Sequence, residues 1–251
     1  MSRIVSWFSC GAASAVATKL LLSNNELLAK YDEVIIAYCK IEEEHSDNAR
    51  FLSECESWFN HPVTILKHEG YNGSIFNVFE KNYMRTPAGS PCTRALKKQV
   101  RLKFQKNDDL HVFGYTVEEE ERANKFIDSN NEIKTHWPLL YEQLTKSDVL
   151  AMIERAGIKL PAMYDLGYEH NNCIGCVKGG MGYWNKIRVD FPKQFKKMAD
   201  FEKRKGYTVL KDPKNGKPIF LHDLNPKRGR MQDEPKIECG IFCEMAEKNY
   251  K

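Results

Sequence analysis

Two cysteines on one small-residue turn, Asn172-Cys173-Ile174-Gly175-Cys176, can point both sulfurs at a single metal centre. Three more cysteines lie beside Gly, Pro or charged residues: Cys92 in Ser90-Pro91-Cys92-Thr93-Arg94, and Cys239 and Cys243 as a Cys-x3-Cys pair. Soft thiolates in that number suit an iron–sulfur cluster or zinc. A redox pair of thioredoxin type is the weaker reading of Cys173 and Cys176, since no strand leads directly into them. His170 completes a His-x2-Cys-x2-Cys pattern and is a zinc-ligand candidate, against the plainer reading of a surface histidine in a polar loop.

The second chemical feature is a turn of small residues, Ser9-Cys10-Gly11-Ala12-Ala13-Ser14. Placed between a strand and a helix, it gathers backbone N–H groups and the positive end of a helix dipole at one point, which suits a phosphate. Gly11 permits close backbone approach, Ser9 and Ser14 add hydroxyls, and Cys10 reads as a small packing group. Alone, such a turn is equally an ordinary strand-to-helix connection.

The elements that must position these groups follow from periodicity. Ile4–Phe8 reads as a buried strand and Ala12–Leu22 as the helix after it. Glu33–Tyr38 and Val63–Leu66 read as strands on either side of a helix over Asn48–Phe59. Helices are predicted over Thr93–Phe104, from Glu118, over Lys146–Gly157 and over Phe191–Lys205, with a strand at Leu110–Phe113. Alternating strands and helices imply an α/β fold with an open, mostly parallel sheet flanked by helices. Beyond Tyr168 the composition shifts toward Gly, Asn, Cys and Lys. The expected organisation is therefore a nucleotide-binding α/β core over 1–165 and a basic, irregular, cysteine-rich metal-binding region over 166–251.

The 251 residues carry a formal net charge of +4, but Lys and Arg concentrate between Lys178 and Arg230. That patch favours phosphate-bearing partners, whether nucleotide or nucleic acid, with a solvated surface as the plain alternative. No stretch is apolar over the ~20 residues a membrane span needs, and the N-terminus lacks the parts of a secretory signal. The expected location is the cytoplasm, where eight cysteines serve metals or catalysis rather than disulfides.

The strand and the Ser9–Ser14 turn resemble the modified P-loop (PP-loop) of the ATP pyrophosphatase and phosphoadenylyl-sulfate (PAPS) reductase superfamily, whose fold is the Rossmann-like one of the adenine nucleotide alpha-hydrolases. ATP-cleaving members usually read Ser-Gly-Gly-x-Asp-Ser. Ala13 stands where they have Asp, which the PAPS reductases also lack. Glu44-His45-Ser46-Asp47 with Arg50-Phe51-Leu52, Gly114 to Arg122, and Trp137-Pro138-Leu139-Leu140 through Pro161-Ala162-Met163-Tyr164 are similar to later family segments. The resemblance implies a nucleotide site built from Ser9, Cys10, Gly11, Ala12, Ala13, Ser14, Gly114 and Arg122, with countercharge from Arg94, Lys98, Arg122 and Lys178.

Cys92 with Cys173 and Cys176 is similar to the ligand set of cluster-bearing adenylyl-sulfate (APS) reductases, and to the three-cysteine cluster of tRNA-thiolating enzymes. It implies a [4Fe-4S] cluster, with Cys243 or Cys239 as fourth ligand or one iron left open; zinc is the alternative. Lys236-Ile237-Glu238-Cys239-Gly240-Ile241-Phe242 resembles the reductase motif Lys-Thr-Glu-Cys-Gly-Ile-His. By that likeness Cys239 is a catalytic thiolate attacking the sulfonyl sulfur, activated by Lys236, though Phe242 replaces the family's His and ligation is the competing role.

Three functions result. The first is a PAPS- or APS-reductase-like oxidoreductase, with a thioredoxin or glutaredoxin partner. The second is an ATP-dependent sulfurtransferase acting on tRNA or DNA, with Tyr183, Trp184 and Phe191 stacking on bases in the basic region. The third is a zinc-knot nucleic-acid-binding protein using Cys173, Cys176, Cys239 and Cys243. A homodimer is compatible with each, and no membrane partner is expected.

Overall fold

The computed structural model describes residues 2–86 and 89–234 together with Ile237 and Cys239. Two compact units emerge. One comprises Met1–Lys40, His45–His68 and Gln99–Asn171; the other comprises Ile41–Glu44, Glu69–Lys98 and Asn172–Lys251. The unit that holds the cysteine-rich C-terminal stretch thus also draws in 41–44 and 69–98 from the first half of the chain.

The first unit is an α/β structure. Among the described residues its sheet has five parallel strands in the order β3-β2-β1-β4-β5, with β1 Arg3–Trp7, β2 Glu33–Cys39, β3 Val63–Leu66, β4 Leu110–Val112 and β5 Lys134–His136. β1 lies at the centre and is buried along its whole length, as a parallel strand covered on both faces must be. Helix α1, Ala12–Ser23, and the Asn48–Phe59 and Lys146–Arg155 helices contribute to one core with Phe8, Phe51 and Phe59. The chain builds outward from β1 to β3, then returns to the other side of β1 to add β4 and β5. The carboxyl ends of β1 and β4 therefore flank the topological switch point, where open α/β sheets take ligands.

At the opposite end of β1, Arg3 and Asp109 form a buried two-pronged pair: Nε to Oδ1 at 2.9 Å and Nη2 to Oδ2 at 2.7 Å. It fastens the first residue of the central strand to the residue preceding β4.

The second unit contains the Ile75–Lys81 helix and a pair of helices, Met181–Asp190 and Pro192–Lys205, with a small antiparallel ribbon of Leu210–Lys211 and Pro218–Ile219. The Met181–Asp190 and Ile75–Lys81 helices and strand β5 are additions to the sequence-based expectation. The predicted helix over Thr93–Phe104 is instead three consecutive pieces: Pro91–Thr93, a π-helical stretch Arg94–Gln99, and Val100–Phe104. No described helix is long and apolar enough to cross a membrane.

Candidate functional site

The Ser9–Ser14 turn lies directly after β1 and closes on itself through Ser14. Ser14 Oγ accepts from Ser9 N–H at 2.9 Å, donates to the Gly11 carbonyl at 2.9 Å, and lies 3.0 Å from Ser9 Oγ. Since Ser14 spends its proton on Gly11, Ser9 is the donor in the hydroxyl pair. Both serine protons are thus spent inside the turn, and either hydroxyl would have to reorient to donate to a phosphate.

The strained residue of the turn is Cys10, not Gly11. Cys10 has φ +59°, a left-handed conformation that costs a side-chain-bearing residue on the order of 1 kcal/mol, whereas Gly11 has φ −119°, open to any residue. Asn171 holds Cys10 in place: its Nδ2 donates to the Cys10 carbonyl at 2.7 Å and to Asn48 Oδ1 at 2.8 Å. The Cys10 side chain is fully buried, its Sγ 3.4 Å from the Asn48 carbonyl.

Gly114, just past β4, touches the same turn. A Cβ there would lie 2.6 Å from the Ala13 carbonyl oxygen and 2.7 Å from Ser14 Cα, so glycine is what lets the β4 end and the start of α1 meet. Tyr164 closes another side. Burial pushes its phenol up, and its hydroxyl takes a hydrogen bond from the Ala12 backbone, with Glu119 and Cys10 close enough to act on it electrostatically. Arg122 pairs with Glu119 at 2.7 Å and sits 4.4 Å over the Tyr115 ring. The Asp47 and Arg50 segment is a clamp: Arg50 binds Asp47 and the carbonyls of Lys159 and Leu160, while Asp47 accepts from Ala162 N–H. Hydrogen bonding to Arg50 holds the Asp47 carboxyl below its ordinary range.

In the second unit, Cys92, Cys173, Cys176 and Cys239 line one small cavity together with Thr93 and Lys178. Residues distant in sequence converge there through specific bonds. The Tyr183 hydroxyl accepts from Gly175 N–H at 3.1 Å and Cys176 N–H at 2.9 Å and donates to the Cys173 carbonyl at 3.2 Å, so one phenol shapes the whole Cys-x-x-Cys turn. Gly175 itself has φ +79° and lies against the Trp184 ring. Asn172 Nδ2 donates to the Ile237 carbonyl at 2.9 Å, Lys97 Nζ to the Cys239 carbonyl at 3.2 Å, and Thr93 Oγ1 lies 3.4 Å from Cys239 Sγ. The glycines that begin the Met181–Asp190 helix donate from Gly180 and Gly182 N–H to the Glu234 carboxylate at 2.7 and 2.6 Å.

No family model matches this chain, and no curated protein matches it. Among solved structures it is similar to the U34-tRNA thiolase NcsA from Methanococcus maripaludis with its [4Fe-4S] cluster, at 15% sequence identity and a TM-score of 0.43. The match covers 80% of this chain and 66% of that one. This chain therefore spans just under two thirds of the length of the protein it is similar to.

Burial is the main influence on Cys92, Cys173 and Cys176 and pushes each thiol upward: Cys92 and Cys173 strongly, Cys176 to about 11. Mutual repulsion adds to it, since Cys239 and Cys176 raise their neighbours. Lys97 and Lys178 act the other way, and the Lys178 backbone also bonds to Cys176. Such a group stays protonated near neutrality unless a cation inverts the balance, which is what binding a metal centre does. The donor set, soft, with Cys173 and Cys176 buried and Cys92 and Cys239 half-buried, fits iron–sulfur or zinc chemistry. Among the described residues, no three His, Cys, Asp or Glu side chains converge tightly enough to grip a single ion.

Several expectations change here. Tyr183 and Trp184 are buried in the second unit, at 2% and 0% exposure, so they build the cysteine turn and do not offer a stacking surface. His170 is absent from the lining of the cysteine cavity and lies 4.0 Å from Glu169. Arg94 faces a separate cleft. Cys243, Lys236 and Phe242 lie outside the described residues. Sequence reasoning missed Lys97, Tyr183 as a brace, Asn171 and Glu234. Only Asn171-Asn172 beside the cysteines offered a signal, as side chains suited to bonding backbone in loops.

Proposed function

We propose that the protein is an adenine-nucleotide-dependent sulfur-transfer enzyme with a thiolate-held [4Fe-4S] centre, acting on a nucleobase carbonyl of RNA or DNA. The observation that carries this reading is the convergence of Cys92, Cys173, Cys176 and Cys239 on one cavity. Four thiols spread around a cavity suit ligands to separate corners of a cluster; a lone zinc would need all four within about 2.3 Å of one point. When bound through Cys92, Cys173 and Cys176, the cluster would keep a fourth iron for sulfide-level sulfur. The Ser9–Ser14 turn and the start of α1 would hold the nucleotide phosphates through N–H groups and the helix dipole. The carbonyl oxygen attacks the α-phosphorus of ATP, pyrophosphate leaves, and sulfide then displaces AMP, which carries the oxygen away.

A second reading, PAPS or APS reduction with Cys239 as nucleophile and thioredoxin or glutaredoxin as reductant, is favoured by Ala13 at the position of the ATP-cleaving Asp. Thr93 Oγ1 at 3.4 Å from its sulfur would be a neighbouring hydrogen-bond donor. The cysteine cavity supports the first reading more, because a lone nucleophile would not need Cys92, Cys173 and Cys176 gathered beside it.

One experiment separates them. Anaerobically purified protein is assayed for iron, sulfide and zinc, then incubated with ATP and RNA or DNA, or with PAPS or APS. Iron with pyrophosphate and AMP formation supports transfer; sulfite release lost in Cys239→Ser supports reduction. One zinc per chain and no iron would overturn both.

A further inference from the structure

Besides the cysteine cavity, the second unit carries an open cleft of about 550 Å³ between the end of the Ile75–Lys81 helix, Ser90–Pro91, Arg94 and the Lys205–Tyr207 turn. One side is aromatic. Tyr83 is 66% exposed, and its ring centre lies 5.3 Å from that of Tyr207. Tyr207 is anchored by hydrogen bonds from its hydroxyl to the Phe79 and Asn82 carbonyls, at 3.2 and 3.0 Å.

The other side is cationic, with Lys81, Arg94 and Lys205. The opposing acid, Glu80, is engaged by Arg204 and by Lys205, whose Nζ lies 3.6 Å from its carboxylate. Arg94 is exposed, and no ion pair engages it among the described residues. An exposed ring beside an exposed arginine that no described carboxylate pairs is the arrangement that holds a base by its face and the backbone by its phosphates.

A third observation points to a ligand independently. Ser90 lines the cleft and is only 6% exposed, yet its Oγ has no hydrogen-bond partner among the described residues. A buried hydroxyl left unsatisfied is disfavoured, and ligand binding is one way to satisfy it. Ser90 also lines the cysteine cavity, two residues from Cys92.

We propose that this cleft is the docking site for a single-stranded segment of nucleic acid, with a base stacked on Tyr83, phosphates on Arg94 and Lys205, and a polar group on Ser90. The inference deepens the transfer reading by naming where its acceptor would bind beside the metal-binding segment, and it rests on that reading only for the purpose of the binding. Binding itself is measured without turnover.

The test is fluorescence anisotropy of the full-length protein with a short labelled single-stranded RNA and its DNA counterpart, across a salt series. Tyr83→Ala should weaken binding roughly 5- to 100-fold, and Arg94→Gln should reduce the salt dependence by about 0.7 in the log–log slope, with circular dichroism unchanged. No oligonucleotide binding, or binding indifferent to both substitutions, overturns the proposal. Competition by free AMP at concentrations near the oligonucleotide's own affinity overturns it too, by making the cleft a mononucleotide site. If binding behaves as expected while pyrophosphate never forms, the docking site stands and the transfer reading falls.

Discussion

Gly114 and Ala13 are in backbone contact: a Cβ on residue 114 would stand 2.6 Å from the Ala13 carbonyl oxygen. This relationship joins the end of β4 to the start of α1 at the switch point of the sheet. Gly114→Ala should therefore force the two apart, costing about 1–3 kcal/mol by overpacking. Urea unfolding would measure the cost. Titration of adenine nucleotides by isothermal calorimetry should show weaker binding in the same variant, since the turn moves with α1.

Tyr183→Phe removes one oxygen and strands two backbone donors, Gly175 N–H and Cys176 N–H. Each unsatisfied buried group costs about 1–3 kcal/mol. The expected outcome is a lower Tm and, for the metal centre proposed above, faster loss of metal to a chelator, with the ring packing retained. Unchanged chelation kinetics would mean the cysteine turn does not need this brace.

Cys55 lies in the apolar core, and burial pushes its thiol up to about 12. At pH 8 only about one molecule in ten thousand carries its thiolate, from the definition of a pKa. Native protein treated with iodoacetamide should leave Cys55 unlabelled, and mass spectrometry of the digest reads this directly. Labelling comparable to that of an unfolded control would contradict its placement in the core.

His111 should make the first unit acid-sensitive. Burial, then repulsion by Arg101, lowers its pKa to about 4, against attraction from Asp109, and its Nδ1 accepts from Trp7 Nε1 at 3.0 Å. The unfolded chain binds a proton near pH 6.5 that the folded chain refuses until about 4. This contribution is therefore complete above 6.5 and declines as pH falls toward 4, by up to roughly 3 kcal/mol at 1.36 kcal/mol per unit. Unfolding free energies at pH 7 and 5 should differ less in His111→Gln than in the parent.

Much of the first unit is written locally. The β1 strand, the small turn and α1 are legible from residue type and period, because a central parallel strand must be apolar along its length and the helix after it must bury one face. The Asn48–Phe59 helix and the Val63–Leu66 strand are legible for the same reason. The turn's strain was not: glycine is the usual left-handed residue, yet here Cys10 takes that conformation because Asn171, far along the chain, holds its carbonyl.

By itself the sequence determined the α/β class, the turn after β1, and which cysteines have metal-ligand spacing. Tertiary structure alone decided which cysteines meet. Cys92 and Cys239 belong to segments with no shared periodicity; Thr93 and Lys97 hold Cys239 near Cys92, and Asn172 ties the Cys239 segment to the Cys173–Cys176 turn through the Ile237 carbonyl. Burial of aromatics was likewise a tertiary matter, since Tyr183 and Trp184 read as a nucleic-acid platform until helix packing enclosed them and left Tyr83 exposed. Local periodicity reports the face a segment must bury; it carries no information about which distant side chain will meet that face.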